Sequence, residues 1–159
     1  MRTLRHLASW ALALFLIFMF LQATLHPLPN PPEGSVKLFD PPGQNIVFAT
    51  LAQNTGLALL EPTGRVVVAI LELIAAFLLL WPWTRRVGAL LSFLILAGAV
   101  TAHLLPDVLG QEVPLSLAAG EIQTDGGQLF ALAIAMLAAS MLLSVVHPMR
   151  KTDPADSEY

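Results

Sequence analysis

Cysteine is absent from the 159-residue sequence, and charged residues are few. Without thiols the chain forms no disulfide, no iron–sulfur cluster, no cysteine-ligated zinc site and no thiol nucleophile. Charged residues make up 12% of the chain and hydrophobic residues 56%, whereas about a quarter of a typical soluble domain is charged. This shortage of charge indicates a protein that lies in a membrane.

The sequence also lacks the motifs of several common functions. It has no basic stretch with interleaved aromatic residues, so we expect no nucleic-acid partner. It has no phosphate-binding loop, dinucleotide-binding fingerprint or nucleophile elbow, so it assigns no catalytic residue. Whether the chain is an enzyme therefore stays open at the level of sequence.

Apolar residues, by contrast, are abundant, and they form four long runs at 7–25, 66–83, 88–105 and 128–146. A helix of about 18 residues is about 27 Å long, which matches the hydrocarbon core of a bilayer. The first run follows basic residues, as a signal peptide does, but it is longer than most signal-peptide cores and no small-residue cleavage site follows it. We therefore predict four retained transmembrane helices in a single domain, 1–151, followed by a disordered tail at 152–159.

The distribution of basic residues predicts how these helices cross the membrane. With the N-terminus inside, the cytoplasmic side holds six basic residues and the outer side two: Arg2, Arg5, Arg85, Arg86, Arg150 and Lys151 against Lys37 and Arg65. An excess of Lys and Arg in cytoplasmic loops is the usual pattern in membrane proteins. The predicted fold is therefore all-α, an integral membrane four-helix antiparallel bundle with both termini cytoplasmic.

The first outer loop contains a segment that can form a short helix. Prolines between 27 and 32, and the sequence DPPG at 40–43, break regular structure before it. Between Gln44 and Gln53 the apolar residues can share one side of a helix, which the sequence Asn54-Thr-Gly56 would end. We predict a short loop helix on the outer side, either on the membrane surface or across the mouth of the bundle.

One carboxylate interrupts the second apolar run. Glu72 would lie about six residues, or roughly 9 Å, from the outer end of its helix. A carboxylate at that depth is costly unless it is protonated, paired or hydrated. Alanines at 69, 75 and 76, about one turn away, indicate that this face meets other helices, because small residues favour close helix packing in membranes.

Further polar residues fall in the same outer half of the predicted bundle. Gln22, His103 and Gln128 lie near the outer ends of the other three helices, and Lys37 or Arg65 could reach Glu72 from the loop. The sequence thus predicts a small polar pocket that opens outward. In it, Glu72 and His103 could bind a quinone headgroup or exchange a proton with it.

A purely structural explanation competes with this functional one. Glu72 could pair with a loop cation and hold the helices together, while Gln22 and Gln128 could be interhelical contacts. Glu72 and His103 lack a convincing third ligand for a metal, and no two histidines share a mid-helix depth, as a bis-histidine haem would require. We therefore predict no metal and no tightly held cofactor, and a quinone is the ligand class that stays open.

Residues 36–105 carry a series of features in a characteristic order. A Lys-Leu pair at 37–38 precedes the loop helix, Glu72 lies in the second run, and a proline–aromatic and basic turn follows at 82–86. Gly-Ala-Leu-Leu then opens the third run at 88–91, and His103 closes it. This arrangement resembles the DoxX-like family of small four-helix membrane proteins.

The resemblance implies a multi-pass protein of the bacterial inner membrane, linked to membrane redox complexes that handle sulfur or oxidative stress. It also implies that Glu72 and His103 form the core polar pair, with Lys37 as a third member. Our first hypothesis is a small subunit of a quinone-linked oxidoreductase system. The alternatives are a non-enzymatic membrane scaffold or assembly factor, and an oligomeric module for binding or permeation of small molecules. The expected partners are the lipid bilayer, a redox protein and further copies of the chain.

Overall fold

The computed structural model describes residues 2–25, 37–116 and 123–146, and within them it is helical throughout apart from turns and one isolated bridge. Its five α-helices are α1 Arg2–Leu25, α2 Ile46–Thr55, α3 Thr63–Leu80, α4 Arg85–Leu104 and α5 Gln128–Val146. All except α2 are long and apolar enough to cross a membrane. The predicted all-α, four-helix membrane bundle is confirmed, and the chain is a multi-pass membrane protein.

The four long helices pack in a ring. α4 contacts α3 and α5, and α1 contacts the same two helices from the other side. The buried core between them combines small with large apolar side chains: Ala13, Leu16, Phe20, Ala75, Ala76, Leu79, Ala89, Leu96, Met136, Ala139 and Leu143. Lipid is as apolar as this core, so close packing at the alanines is what holds the helices together.

Two ends of the bundle are distinguished by their connections. At the hairpin end, residues 81–84 join α3 to α4, and Arg5 near the start of α1 contacts Val145 near the end of α5. At the other end, called the loop end, α1 and α4 terminate and α3 and α5 begin. The short helix α2 also lies at the loop end. These contacts agree with antiparallel neighbours.

α2 forms where the loop helix was predicted, shifted by two residues. Asn45 caps its start, because its side-chain oxygen accepts a hydrogen bond from the Phe48 N–H (3.1 Å), and Gly56 ends it in the left-handed conformation (φ +71°). Ile46 packs with Leu109 and Val113 from the loop after α4. α2 therefore packs at the loop end against the loop that follows α4.

The observed helix ends differ from the predicted runs by a few residues. α3 ends at Leu80, three residues before the predicted 83, and its cap Trp81 is extended (ψ 127°). The residue before a proline is disfavoured in the helical region, and Pro82 follows Trp81. α1 and α3 begin earlier than the apolar runs do, at Arg2 and Thr63, because a helix can continue through polar residues. The predicted tail at 152–159 lies outside the described residues.

Gly88 allows α3 and α4 to approach closely just after their connection. A Cβ at this position would lie 2.8 Å from the Leu79 backbone nitrogen and 3.0 Å from the Leu78 carbonyl carbon. Both are backbone atoms, which cannot move aside as a flexible side chain would. The hairpin therefore requires glycine here.

We expect Gly88→Ala to lower the free energy of unfolding by about 1–3 kcal/mol, because the added methyl forces the two helices apart. Gly98→Ala is the matched control, since a Cβ at Gly98 would meet open space and alanine favours the helix. Thermal unfolding of both variants in detergent tests this. Equal stability of the two would contradict the close contact.

Candidate functional site

A partly buried ion pair joins the first loop to the second transmembrane helix, α3. Lys37 Nζ lies 2.5 Å from Glu72 Oε1, and the Thr24 hydroxyl donates to Glu72 Oε2 at 2.7 Å. Glu72 is 4% exposed and comes nine residues after Thr63, the first residue of α3, which is roughly 14 Å along the helix. Glu72 therefore lies deeper than the sequence indicated, and both of its oxygens have partners.

A second ion pair positions the backbone of the loop. Arg65, 2% exposed, contacts Glu61 through Nε (2.8 Å to Oε2), one helical turn away. Its two terminal nitrogens donate to backbone carbonyls of the loop, Nη1 to Lys37 and Nη2 to Asp40 (2.9 Å). Arg65 thus fixes the stretch of chain from which the Lys37 side chain reaches Glu72.

Helices α1 and α2 tie the same loop down from other directions. The Leu38 N–H donates to the carbonyl of Thr24 at the end of α1 (3.5 Å). The side chain of Asn45, which caps α2, donates to the carboxylate of Asp40. Residues 37–40 are therefore held by α1, α2 and α3 together.

The charges at this site balance locally. Glu72 faces Lys37 and Arg65 faces Glu61, so each deeply buried charge has an opposite charge in contact. Removing an ion from water costs several kcal/mol of free energy. An opposite charge offsets this cost only when the geometry is good and additional hydrogen bonds form. Thr24 supplies such a bond to Glu72, and two backbone carbonyls supply them to Arg65.

The structure brings together two of the five predicted site residues, Lys37 and Glu72. Gln22 is two residues from Thr24, about 160° around the helix, and its Oε1 is buried without a hydrogen-bond partner among the described residues. Gln128 is an exposed residue at the start of α5. Among the described residues, no hydrogen bond or ion pair joins either glutamine to Glu72.

His103 belongs to a separate cluster at the loop end. It is 5% exposed, its Nδ1 lies 2.8 Å from the Gly110 carbonyl oxygen, and its ring packs against Phe130. No hydrogen bond or ion pair connects it to Glu72 within the described part of the chain. Of the partners that the sequence offered for Glu72, the structure places Lys37 in contact with it.

Asp125 organises the loop beside His103. Its carboxylate accepts hydrogen bonds from the backbone N–H groups of Leu129 (2.8 Å), Val113 (2.8 Å) and Gly127 (3.1 Å). Burial opposes ionisation of this group, but the three N–H donors and the positive field of His103 together lower the pKa of Asp125 from its ordinary value. This carboxylate fixes the entry into α5.

Sequence reasoning missed Thr24, Asp40 and Glu61 at the ion-pair site. Thr24 could have been found, because it continues the buried stripe of α1 at intervals of three and four: Ser9, Ala13, Leu16, Phe20 and Thr24. Glu61 and Arg65 have the i, i+4 spacing of a helical ion pair, although Glu61 lies just before α3. No comparable spacing in the sequence indicates the contact of Asp40 with Asn45.

The described residues contain no group of three histidines or carboxylates that could hold a metal ion. The ion-pair site consists of hydrogen-bond donors and acceptors, which are groups that can bind a polar ligand or pass a proton.

Comparison of the chain with protein-family models, with curated proteins and with solved structures gave no match.

Removing both members of the central ion pair should destabilise the protein by less than the sum of the two single removals. We expect Lys37→Met to lower the free energy of unfolding by about 2–3 kcal/mol, because it leaves the Glu72 carboxylate buried without its cation. The double variant Lys37→Met, Glu72→Gln should lose clearly less than the sum of the single losses. Thermal unfolding in detergent compares Lys37→Met, Glu72→Gln and the double variant. Strictly additive losses of stability would show that the two side chains do not interact.

Asp125 should make the free energy of unfolding depend on pH in the acidic range. Its folded-state pKa is below the ordinary value of 3.8, so its contribution is complete above that value and disappears as the pH falls through the lower folded-state pKa. Asp125→Asn should cost about 1 kcal/mol at neutral pH and weaken this acid dependence. Unfolding curves across this pH range test it, with exposed Asp107→Asn as the control. An identical acid response in both variants would refute the assignment.

Proposed function

We propose that the chain is a small subunit of a quinone-linked oxidoreductase system in a bacterial inner membrane, similar to DoxX-like proteins. The observation that carries the proposal is the Lys37–Glu72 pair, in which a carboxylate buried in a membrane-spanning helix contacts a partly exposed lysine of the loop. Both residues are positions that the resemblance to the family singles out. Intramembrane ionisable residues commonly mark ligand or proton pathways.

The pair has capacity for a ligand. An ammonium group carries three N–H donors, and among the described residues Glu72 is the acceptor in contact with Lys37 Nζ. The Lys37 side chain is 23% exposed, whereas that of Glu72 is 5% exposed. A quinone carbonyl oxygen could therefore accept a hydrogen bond from the accessible side of Lys37.

The two residues suit the proton chemistry of a quinone. Reduction of a quinone to a quinol takes up two electrons and two protons. The electrons would come from a cofactor of a partner protein, and Glu72 with Lys37 would stabilise the headgroup and pass a proton to or from it. We place the hairpin end in the cytoplasm, because Arg5, Arg85 and Arg86 lie there and basic residues favour that side.

A second candidate function is a membrane scaffold or assembly factor without a redox ligand. It is favoured by the saturation of Glu72, because both carboxylate oxygens already have partners within the chain. In this case the pair would serve to hold residues 37–40 against α1 and α3.

Quinone retention separates the two functions. We expect wild-type protein purified in mild detergent to retain quinone, detected by mass spectrometry of the extracted lipids. Glu72→Gln should lower the retained amount about tenfold or more, because Lys37 loses the carboxylate that positions its ammonium group for the quinone, and a hydrogen bond to a charged group contributes about 1.5–3 kcal/mol. The control is Asp107→Asn, an exposed carboxylate in the loop after α4.

If folded Glu72→Gln and folded Asp107→Asn retain equal amounts of quinone, the Lys37–Glu72 site does not bind quinone. Absence of quinone from the wild type would favour the scaffold.

A further inference from the structure

A groove between α4 and α5 lies near the hairpin end, far from the Lys37–Glu72 site along the helices. Its volume is about 260 Å³, and its walls include Ala89, Leu90 and Phe93 from α4 and Met141, Ser144 and Val145 from α5. Leu90 and Val145 are 58% and 74% exposed, so the groove lies on the lipid-facing surface.

The serines of the groove do not make it polar. The Ser140 hydroxyl donates to the Leu137 carbonyl and the Ser144 hydroxyl to the Met141 carbonyl, both at 2.7 Å. With these hydroxyls bonded to their own helix, the groove presents mainly hydrocarbon. An apolar chain is the occupant that such a surface favours within a bilayer.

The rim of the groove is positively charged. Arg86 is exposed and precedes Ala89 and Leu90 by three and four residues, so it lies on the same face of α4 one turn nearer the hairpin. Arg5 is exposed, and its Nη2 donates to the carbonyl of Val145, a residue of the groove wall (3.4 Å). Two guanidinium groups, those of Arg5 and Arg86, therefore lie at the end of the apolar groove that is nearer the membrane surface.

These cations have no counter-charge in the described part of the bundle. The six carboxylates within it lie in the loops of the loop end or inside α3: Asp40, Glu61, Glu72, Asp107, Glu112 and Asp125. Buried Arg85 adds a third positive charge at the hairpin end, where it stacks on Trp10 and donates to Ser9. Among the described residues of this end, the excess of positive charge favours an anion.

We infer that the groove binds an anionic phospholipid, with one acyl chain between α4 and α5 and the phosphate on Arg5 and Arg86. Arginine suits the phosphate, because its planar fork donates two parallel hydrogen bonds. The site is separate from the quinone site and does not depend on the proposed function.

The test uses the full chain, purified in detergent and supplied with phosphatidylglycerol or phosphatidylcholine in equal amounts. Native mass spectrometry then counts the lipids that remain bound to each protein molecule. The inference predicts preferential retention of phosphatidylglycerol. The double variant Arg5→Gln, Arg86→Gln should reduce this preference about tenfold or more, because each basic side chain near anionic lipid contributes about 1 kcal/mol.

Two further variants separate headgroup from acyl-chain binding. Ser144→Phe fills the groove and should abolish retention of phosphatidylglycerol, whereas Leu94→Phe, at a lipid-facing position of α4 outside the groove wall, should not. If the double arginine variant does not fold, Arg86→Lys should preserve most of the preference and Arg86→Gln should weaken it.

Equal retention of the two lipids, or retention unchanged by Ser144→Phe, would overturn the inference. A dimer that Ser144→Phe disrupts, with no lipid bound in the wild type, would instead assign the groove to a second copy of the chain.

Discussion

Charge buried in a low-dielectric interior costs several kcal/mol per ion unless an opposite charge and hydrogen bonds compensate it. Glu72 imposes this requirement midway along α3, and Lys37 and Thr24 meet it. Lys37 can reach Glu72 because Arg65 binds the backbone on both sides of the loop turn, and Glu61 in turn compensates Arg65. The arrangement of residues 37–40 therefore depends on the two charges buried beside them, Glu72 and Arg65.

The two ends of the bundle differ in charge and in the contacts that stabilise them. The loop end is rich in carboxylates and neutralises its buried charges within the described chain, through the pairs at Glu72 and Arg65. The hairpin end is basic, and there the chain relies on close packing at Gly88 and on the contacts of Arg85 with Ser9 and Trp10. This asymmetry separates a proposed site for a polar headgroup at the loop end from a proposed lipid site at the hairpin end.

The fold could be predicted from the sequence because apolar length alone specifies a transmembrane helix. The site was only partly predictable. Glu72 was conspicuous as a charge in an apolar run, and Lys37 as a loop cation within reach, but pairing depends on where the loop folds back. The grouping of Gln22 and His103 with Glu72 used depth along the helix, which does not determine the direction a side chain faces. Gly88 was read as part of a motif, and its backbone contact with α3 appears only in three dimensions.

The ionisation state of Glu72 is the most direct test of this account. Infrared difference spectra of wild type against Glu72→Gln, recorded in detergent at neutral pH, report whether that side chain is a carboxylate or a protonated acid. We expect loss of a carboxylate band in the variant, because Lys37 contacts Glu72 Oε1 at 2.5 Å. Loss of a protonated carboxyl band instead would show that Glu72 is neutral in the bundle, and that the ion pair does not organise the loop end.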